Sequence, residues 1–413
     1  MKHTTFLQPL PDHLKSQRSK GYRFNGIDAV EQPFIVVPLA PVGGASTTAT
    51  DMSKFMLAHL QNGQFNGARI LDRKTVERMH SRSFANADTL NGIAHGFMEV
   101  DRNGYRIIGH DGSVFYFMSQ LYLIPETGTG LFISFNSDSG GYAGYQVCRE
   151  FADYFFPTQD SIVPIKKDSI TEEPGLAGYY AGNRRSHSNF TKFGRIMSSF
   201  EVVQPEPGVI IINGYDSSRW QKIAPLQYKN ANSEDQLIFR KNEQGEVSHL
   251  FFNGMPAVGF DKLTFIEQPK SLIYIFILFL IPIFIRIAAP HVISFLNRRK
   301  KDSPAQKLAP LPSYARLLSL ITGVLLLAFL GFQWPLLTDQ KLVFFELSAT
   351  VQYSFILPIV ACITTALHVI GSVLGWTKQQ GHPVNRLTHS LLSLAFVTLL
   401  LDLYYWNILG FNF

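Results

Sequence analysis

Charge is scarce in this chain. Asp, Glu, Lys and Arg make up 16% of its 413 residues, against 46% hydrophobic and 13% aromatic. Soluble domains ordinarily carry about a quarter charged residues, so part of this chain is not bathed in water. Cysteine is nearly absent. Cys148 and Cys362 lie far apart in segments of different character, which excludes a disulfide framework and a cysteine-based metal site; each reads as a small buried hydrophobe. The twelve histidines form no His-Glu-x-x-His motif and no clustered ligand spacing, so no zinc site is expected and no cofactor is implied. Nor does the opening read as a leader. Met1-Lys2-His3-Thr4-Thr5 opens a stretch of ~30 largely polar residues rather than a basic start followed by an apolar core. No internal repeat or low-complexity segment is present.

The formal net charge of +6 suggests a nucleic-acid partner until it is located. Between Arg286 and Arg316 lie Arg286, Arg298, Arg299, Lys300, Lys301, Lys307 and Arg316 against the single acid Asp302, which accounts for the whole excess. Elsewhere acids and bases balance, so no nucleic-acid footprint remains. The neighbours of this basic stretch are membrane-like. Leu272–Ile285 is an uncharged apolar run that extends to about Leu296 if Arg286 is tolerated. Three more follow, near Tyr314–Leu337, Leu347–Trp376 and Leu387–Phe411. Each reaches the ~20 apolar residues that cross a bilayer core, with Trp334, Trp376, Tyr404, Tyr405 and Trp406 near their ends, where aromatic belts belong.

Four transmembrane helices over residues 271–413 are therefore expected, in a multi-pass protein of the cell membrane whose first partner is the lipid bilayer. The loops around Arg298–Lys307 and Thr377–Arg386 are basic, and the loop around Asp339-Gln340-Lys341 is balanced. Short basic loops stay cytoplasmic, so the N-terminal domains and the C-terminus are expected outside. Asp402 is the one acid well inside the last run; its place near an aromatic end lets it reach the interface. Export of the N-terminal domains conflicts with the missing leader. The simplest resolution is that a natural N-terminal portion is not part of this chain.

Residues 1–157 read as α+β. Thr50–Gln61 has Met52, Phe55, Met56 and Leu60 at helical spacing and is closed by Gly63; Asp72 caps a short helix carrying Val76 and Met79. A hairpin follows, Phe97–Asp101 and Tyr105–His110 around Arg102-Asn103-Gly104. Strands Val114–Ile124 and Gly130–Asn136 then flank the turn Pro125-Glu126-Thr127-Gly128. Tyr142–Phe156 is expected to cover the sheet with Val147, Phe151, Tyr154 and Phe155. Where the hairpin leads into the next strand stands His110-Asp111-Gly112. A histidine is the side chain whose proton moves near neutral pH, and a glycine lets a ligand approach a strand closely. Residues 158–270 begin with a polar linker and continue as short strands separated by Gly, Pro, Asn and Asp turns, which predicts a small β-barrel or sandwich domain. Asn189-Phe190-Thr191 matches a glycosylation sequon formally.

Three passages carry a resemblance: PLAPVGGASTTATDMSKFMLAHL (38–60), RILDRKTVERMH (69–80) and IIGHDGSVFYFMSQLYLIPETGTGLFISFN (107–136). Their order and spacing resemble the C-terminal part of serine β-lactamase-related hydrolases, the group of class C β-lactamases, penicillin-binding proteins and related esterases and peptidases. The resemblance covers about residues 1–157 and implies a partial β-lactamase/transpeptidase-like domain. It implies that His110 occupies the Lys or His of the third motif, assisting proton transfer, and that Gly112 lets substrate lie along the strand. It further implies that the Ser113 backbone N–H is half of the oxyanion hole. Where the family often has a glycine shortly after this motif, the chain has Phe115-Tyr116-Phe117, which bears on how open the pocket mouth is.

The family's nucleophile is absent. No Ser-x-x-Lys occurs anywhere in the chain, and Ser134-Phe135-Asn136, Tyr228-Lys229-Asn230 and Tyr405-Trp406-Asn407 match its second motif only in the wrong order, after His110. The expected function is a membrane-anchored serine hydrolase acting on an amide, ester or β-lactam through an acyl-serine. This chain represents it without the nucleophile and is therefore inactive alone. The alternative is a non-catalytic membrane protein that binds cell-wall peptides or a partner; a sensory or transport role for the membrane part would rest on Asp402 alone.

Overall fold

A computed structural model of the chain describes residues 1–37, 40–158, 173–215, 217–298, 310–334 and 347–412. Packing divides these into two units, residues 1–177 with 202–260 and residues 178–201 with 261–413.

In the first unit an N-terminal hairpin, β1 (Gly21–Phe24) and β2 (Ala29–Gln32), precedes helix α1 (Ala49–Leu60) and helix α2 (Arg73–His80). Thr48 caps α1 by accepting the Asp51 N–H. Asp51 is buried, and its carboxylate accepts hydrogen bonds from Lys54 Nζ at 2.7 Å, the His3 N–H at 2.7 Å and Thr4 Oγ1 at 3.0 Å. The Lys54 bond foremost, with the bonds from His3 and Thr4, outweighs burial and holds this carboxyl well below its usual range. The N-terminal strand is thereby fastened to α1.

A six-stranded sheet follows, built from β3 (Phe84–Ala85), β4 (Gly92–Ile93), β5 (Met98–Glu99), β6 (Ile108–Val114), β7 (Phe117–Ile124) and β8 (Thr129–Phe135). It is an antiparallel meander in the order β8-β7-β6-β5-β4-β3. Successive side chains of a strand face opposite ways, and β6 shows this at its entry. Ile108 packs with Met56, Phe97, Leu121 and Leu123 against α1, whereas Ile107 packs with Tyr122, Ile124, Cys148 and Ala152 against helix α3 (Gly140–Phe155).

Two expectations about this region are corrected. The residues of α3 facing the sheet are Gly144, Cys148 and Ala152, a small-residue row at spacing four; Tyr154 and Phe155 are 79% and 59% exposed. A Cβ on Gly144 would lie 1.9 Å from the Gln120 Oε1, so any larger residue there must displace the Gln120 side chain. Large side chains would hold the helix off the sheet. The His110 segment, moreover, lies inside a strand rather than at its end. The turn falls at Phe115-Tyr116, with Phe115 at φ +33° and Tyr116 buried. No Gly or Asn announces it.

His59 and His80 form a second buried feature of this unit. His59 Nδ1 lies 3.2 Å from His80 Nε2, and both rings meet Phe97 edge-on. Burial, with the nearby His59 and Arg106, lowers the His80 pKa from 6.5 to about 4, and burial lowers that of His59. A depressed histidine pKa means that the neutral form is the one favoured by folding. Stability is therefore complete above pH 6.5 and drains away as pH falls toward 4, because only the unfolded chain takes up the proton. At about 1.4 kcal/mol per pKa unit the full shift corresponds to about 3.5 kcal/mol, which the partial exposure of His80 cuts to on the order of 2 kcal/mol. Hydrogen exchange of α1 and α2 amides should quicken between pH 6.5 and 4, and His80→Gln should remove most of that pH dependence.

Strands β9 (Gly178–Gly182), β10 (Phe200–Glu206), β11 (Val209–Asn213), β12 (Arg219–Ala224), β13 (Gln227–Asn230), β14 (Gln236–Lys241), β15 (Val247–Phe252) and β16 (Gly259–Lys262) close into a barrel. Of the two architectures expected from the sequence, the barrel is the one formed. Trp220, Tyr228, Phe239, Ile210 and Leu250 are completely or almost completely buried there. The first unit joins its sheet to these strands through Asn91 N–H to Asn253 Oδ1 at 2.6 Å and Asn86 Nδ2 to the Pro256 carbonyl at 3.0 Å. After β16 the chain makes a 3-10 turn, Phe265–Glu267, held by a Thr264/Glu267 capping box. The polar linker predicted from residue 165 begins outside the described residues.

The second unit contains the short helices α4 (Gly194–Met197) and α7 (Ala349–Ser354) and the long helices α5 (Pro269–Arg298), α6 (Ser313–Phe332), α8 (Ile356–Thr377) and α9 (Pro383–Tyr405). Three helical stretches, Ser313–Phe332, Ala349–Thr377 and Pro383–Tyr405, are long and apolar enough to cross a membrane; α5 contributes a shorter apolar stretch, Pro269–Pro282. Leu326, Phe329, Val351, Phe355, Ala361, Phe396, Leu400 and Leu403 form their common core. Polar groups bind across it. His368 meets Ser319 Oγ at 2.7 Å and Ser393 Oγ at 2.8 Å, and Ser372 meets Ser390 at 2.7 Å, the kind of interhelical bond worth about 0.6 kcal/mol in membranes. Asp402 accepts a bond from Trp406 Nε1 at 3.2 Å. The balanced loop around Asp339 and the basic residues Arg299–Lys307 fall outside the described residues.

Candidate active-site wall

The three site residues expected from the sequence lie together on β6, and the sheet accounts for how they are presented. β7 pairs with all of β6, from Ile108↔Leu123 to Val114↔Phe117. β5 pairs with β6 only at Met98↔Gly109 and Glu99↔Ile108. Beyond Gly109, no described strand covers the other edge, and His110, Asp111, Gly112 and Ser113 are exposed. Val114 and Phe117 close a two-residue hairpin, so they form a hydrogen-bonded pair and the pairs alternate from there. This count turns the main-chain groups of Ser113 and Asp111 toward the open edge. It also turns those of Gly109 the same way, which is where β5 meets it.

His110 adds the chemistry. Its Nδ1 lies 2.6 Å from the Asp111 carbonyl oxygen. A carbonyl only accepts, so Nδ1 carries the hydrogen, and in the neutral ring Nε2 keeps its lone pair as a base. Side-chain alternation places His110 and Gly112 on the α1 face with Leu121 and Ser119, and Asp111 and Ser113 on the α3 face with Gln120 and Met118. Ser113 Oγ donates to Met118 Sδ at 3.0 Å. Its hydroxyl and the His110 ring therefore stand on opposite faces and do not form a nucleophile–base pair.

A cleft of about 560 Å³ opens on the α1 face beside the Val114 end of β6. Arg18, Phe34, Phe117, Ser119, Phe132 and Ser134 line it, with hydroxyls of Ser46, Thr47 and Thr48. Ser119 and Ser134 are bonded to each other at 2.8 Å. His110, Gly112 and Ser113 do not line this space. Sequence reading missed Ser119 and Ser134, although their alternation along β7 and β8 marks them as sharing a face. Cys148 offers no nucleophile: it is fully buried, and burial pushes its thiol up to about 12. Among the described residues no cluster of three metal-ligating side chains occurs.

Gly109 sets how closely β6 and β7 approach. A Cβ there would lie 2.4 Å from the Leu121 carbonyl oxygen and 2.7 Å from Tyr122 Cδ1. Gly109→Ala should cost about 2 kcal/mol through forced separation of the strands. Lower thermal stability, with faster amide exchange at Leu121 and Tyr122, is the check; an unchanged melting temperature contradicts it.

An antiparallel sheet covered by helices, with a histidine and a glycine on an open strand, defines an α+β layer. Residues 1–146 match the family model described as Beta-lactamase, and this part of the chain is a β-lactamase-related domain. Among solved structures the chain is similar to the crystal structure of SurE, with 17% identity and a TM-score of 0.39, covering 59% of this chain and 56% of that one. It is also similar to the octameric penicillin-binding protein homologue from Pyrococcus abyssi, with 16% identity and a TM-score of 0.32, covering 63% of this chain and 57% of that one. The chain thus spans little more than half the length of these structures. No curated protein matches it.

Proposed function

We propose that residues 1–157 are the substrate-side wall of an acyl-serine active site, carried by a membrane-anchored serine hydrolase of the β-lactamase and penicillin-binding type. The substrate class is an amide, ester or β-lactam carbonyl. His110 Nε2 takes and returns a proton, and Gly112 leaves room for substrate along the β6 edge. The Ser113 N–H supplies one oxyanion donor, a group worth about 3–4 kcal/mol in a well-studied serine protease. The observation that carries this reading is the open edge of β6, where an outward main-chain donor and a ring nitrogen with a free lone pair lie three residues apart with no described strand covering them.

In this reading the nucleophile comes from a missing N-terminal portion, and the chain is inactive without it. Residues 158–270 are an accessory domain, and residues 271–413 form four spans, with α5 as the first. The N-terminal domains and the C-terminus lie outside the cell, because the basic loops stay in the cytoplasm. The absence of Ser-x-x-Lys favours a second reading, a non-catalytic membrane protein that binds cell-wall peptides or a partner. The reading frame upstream of Met1 decides between them. An in-frame Ser-x-x-Lys with an export signal establishes the enzyme, whereas a genuine start with its own ribosome-binding sequence establishes the binder.

A further inference from the structure

In the second unit, a group of side chains between the barrel strands β9 and β10 is bound to the ends of the membrane helices. The Phe190 N–H donates to the Asn412 carbonyl at 2.9 Å, and Asn407 Nδ2 donates to the His187 carbonyl at 2.8 Å. The Lys192 ammonium donates to the Tyr405 carbonyl at 2.5 Å and lies 3.9 Å from the centre of the Tyr405 ring. Phe193 meets the buried Trp406 edge-on at 5.6 Å. Segment 187–193 therefore sits on the C-terminal end of α9, at the level of its terminal aromatics.

Arg195 extends this seat toward α5. Its guanidinium is buried and bonds Glu267 and, at 2.9 Å, Asp261. The tie holds α4 against the turn Phe265–Glu267, and α5 begins two residues after that turn. Around this charged core the outward side chains are apolar. Met197 is 67% exposed, Phe265 61% and Ile266 50%. Phe265 stacks on Tyr274 of α5 at 5.5 Å, so the apolar surface runs without a break into the exposed Tyr274, Phe276 and Ile277 of that helix. Cations outnumber acids in residues 178–201 and 261–280, with Arg184, Arg185, Lys192, Arg195, Lys262 and Lys270 against Glu201, Asp261 and Glu267.

We infer that Met197, Phe265 and Ile266 form a lipid-contacting rim that dips into the interfacial layer of the bilayer, with the surrounding cations at the level of lipid phosphates. Three observations select lipid as the occupant. The apolar patch is continuous with α5, the first span in the reading above, its neighbours are the aromatic residues found at interfaces, and cations outnumber acids in its segments. Apolar side chains flanked by Lys and Arg are how peripheral segments hold an interface. Unlike the acyl-serine reading, this inference concerns residues 178–201 and 261–280 and stands if that reading fails.

The test uses the full chain in phosphatidylcholine–phosphatidylglycerol nanodiscs. A nitroxide is placed at Met197→Cys, Phe265→Cys or Ile266→Cys, with Cys148 and Cys362 replaced by alanine. Collision with oxygen, which concentrates in lipid, is compared with collision with a water-soluble nickel chelate. Labels at Leu327→Cys and Glu243→Cys, both exposed, serve as apolar and aqueous references. The expected result is a ratio favouring oxygen severalfold over the Glu243 reference for at least two of the three sites. A ratio favouring the nickel chelate at all three places them in water and overturns the inference. Low collision with both reagents at all three shows a protein contact, either a second copy or another partner, and overturns it equally. Three separate exposed sites guard against one variant that fails to fold.

Discussion

A fluorescent penicillin mixed with the full chain and then denatured should leave no labelled band. Covalent labelling needs a hydroxyl, a base within reach and an oxyanion site together, and the chain holds these apart. Ser113 and His110 alternate to opposite faces of β6, and the Ser113 hydroxyl is spent on Met118. Ser119 and Ser134, the sheet serines of the cleft, bond each other. No lysine lines that cleft; Lys54, on neighbouring α1, is committed to Asp51. Removing the nucleophile from a well-studied hydrolase costs about six orders of magnitude in kcat, so labelling should fall below detection. A band that survives denaturation and disappears after preincubation with unlabelled drug would mean that an unrecognised nucleophile is present.

Glu99→Ala should be the most damaging single change in the sheet. Glu99 is buried on β5, and its carboxylate accepts from Arg82 Nε at 2.6 Å, Arg106 Nη2 at 2.9 Å and the Gly92 N–H at 2.9 Å. Burial alone would raise its pKa, yet these three bonds together hold it below the ordinary glutamate value. Removing one member of a buried pair costs about 3–5 kcal/mol. The two arginines are each more than a third exposed and regain water, which places the expected cost near the lower limit, about 3 kcal/mol. For a unit of this size that is a fall of ~6–12 °C in melting temperature. Glu99→Gln, which keeps an acceptor for Gly92, should lose about half as much. Because Glu99 pairs with Ile108, the loss should also quicken exchange at the start of β6. Equal stability of the alanine variant and the parent would refute the assignment.

The sequence made some of this architecture legible and hid the rest for physical reasons. Helices α1 and α2 were readable because apolar residues recur at helical spacing behind a cap. Most of the barrel strands were readable because turn residues punctuate short apolar runs. β13 was missed: Gln227-Tyr228-Lys229-Asn230 has almost no apolar alternation, and beside Tyr228 its buried residues are the polar Gln227 and Asn230. The hairpin β1–β2 is largely exposed and had no pattern to show. In α3 the bulky residues drew attention, while close packing on the sheet selected the small ones. At the site, His110 and Gly112 could be found from the motif. Their open edge could not, since it depends on how briefly β5 runs alongside β6.

That short run of β5 has a further consequence for the behaviour of the chain in solution. An uncovered ladder of donors and acceptors is a template for any strand that drifts past, and natural sheets guard such edges with lysine, proline or bulges. Between His110 and Val114 the only charge of this kind is Asp111, and the run contains neither proline nor lysine. Among the described residues this edge is therefore open to strand addition, and a concentrated preparation should show edge-to-edge association through β6.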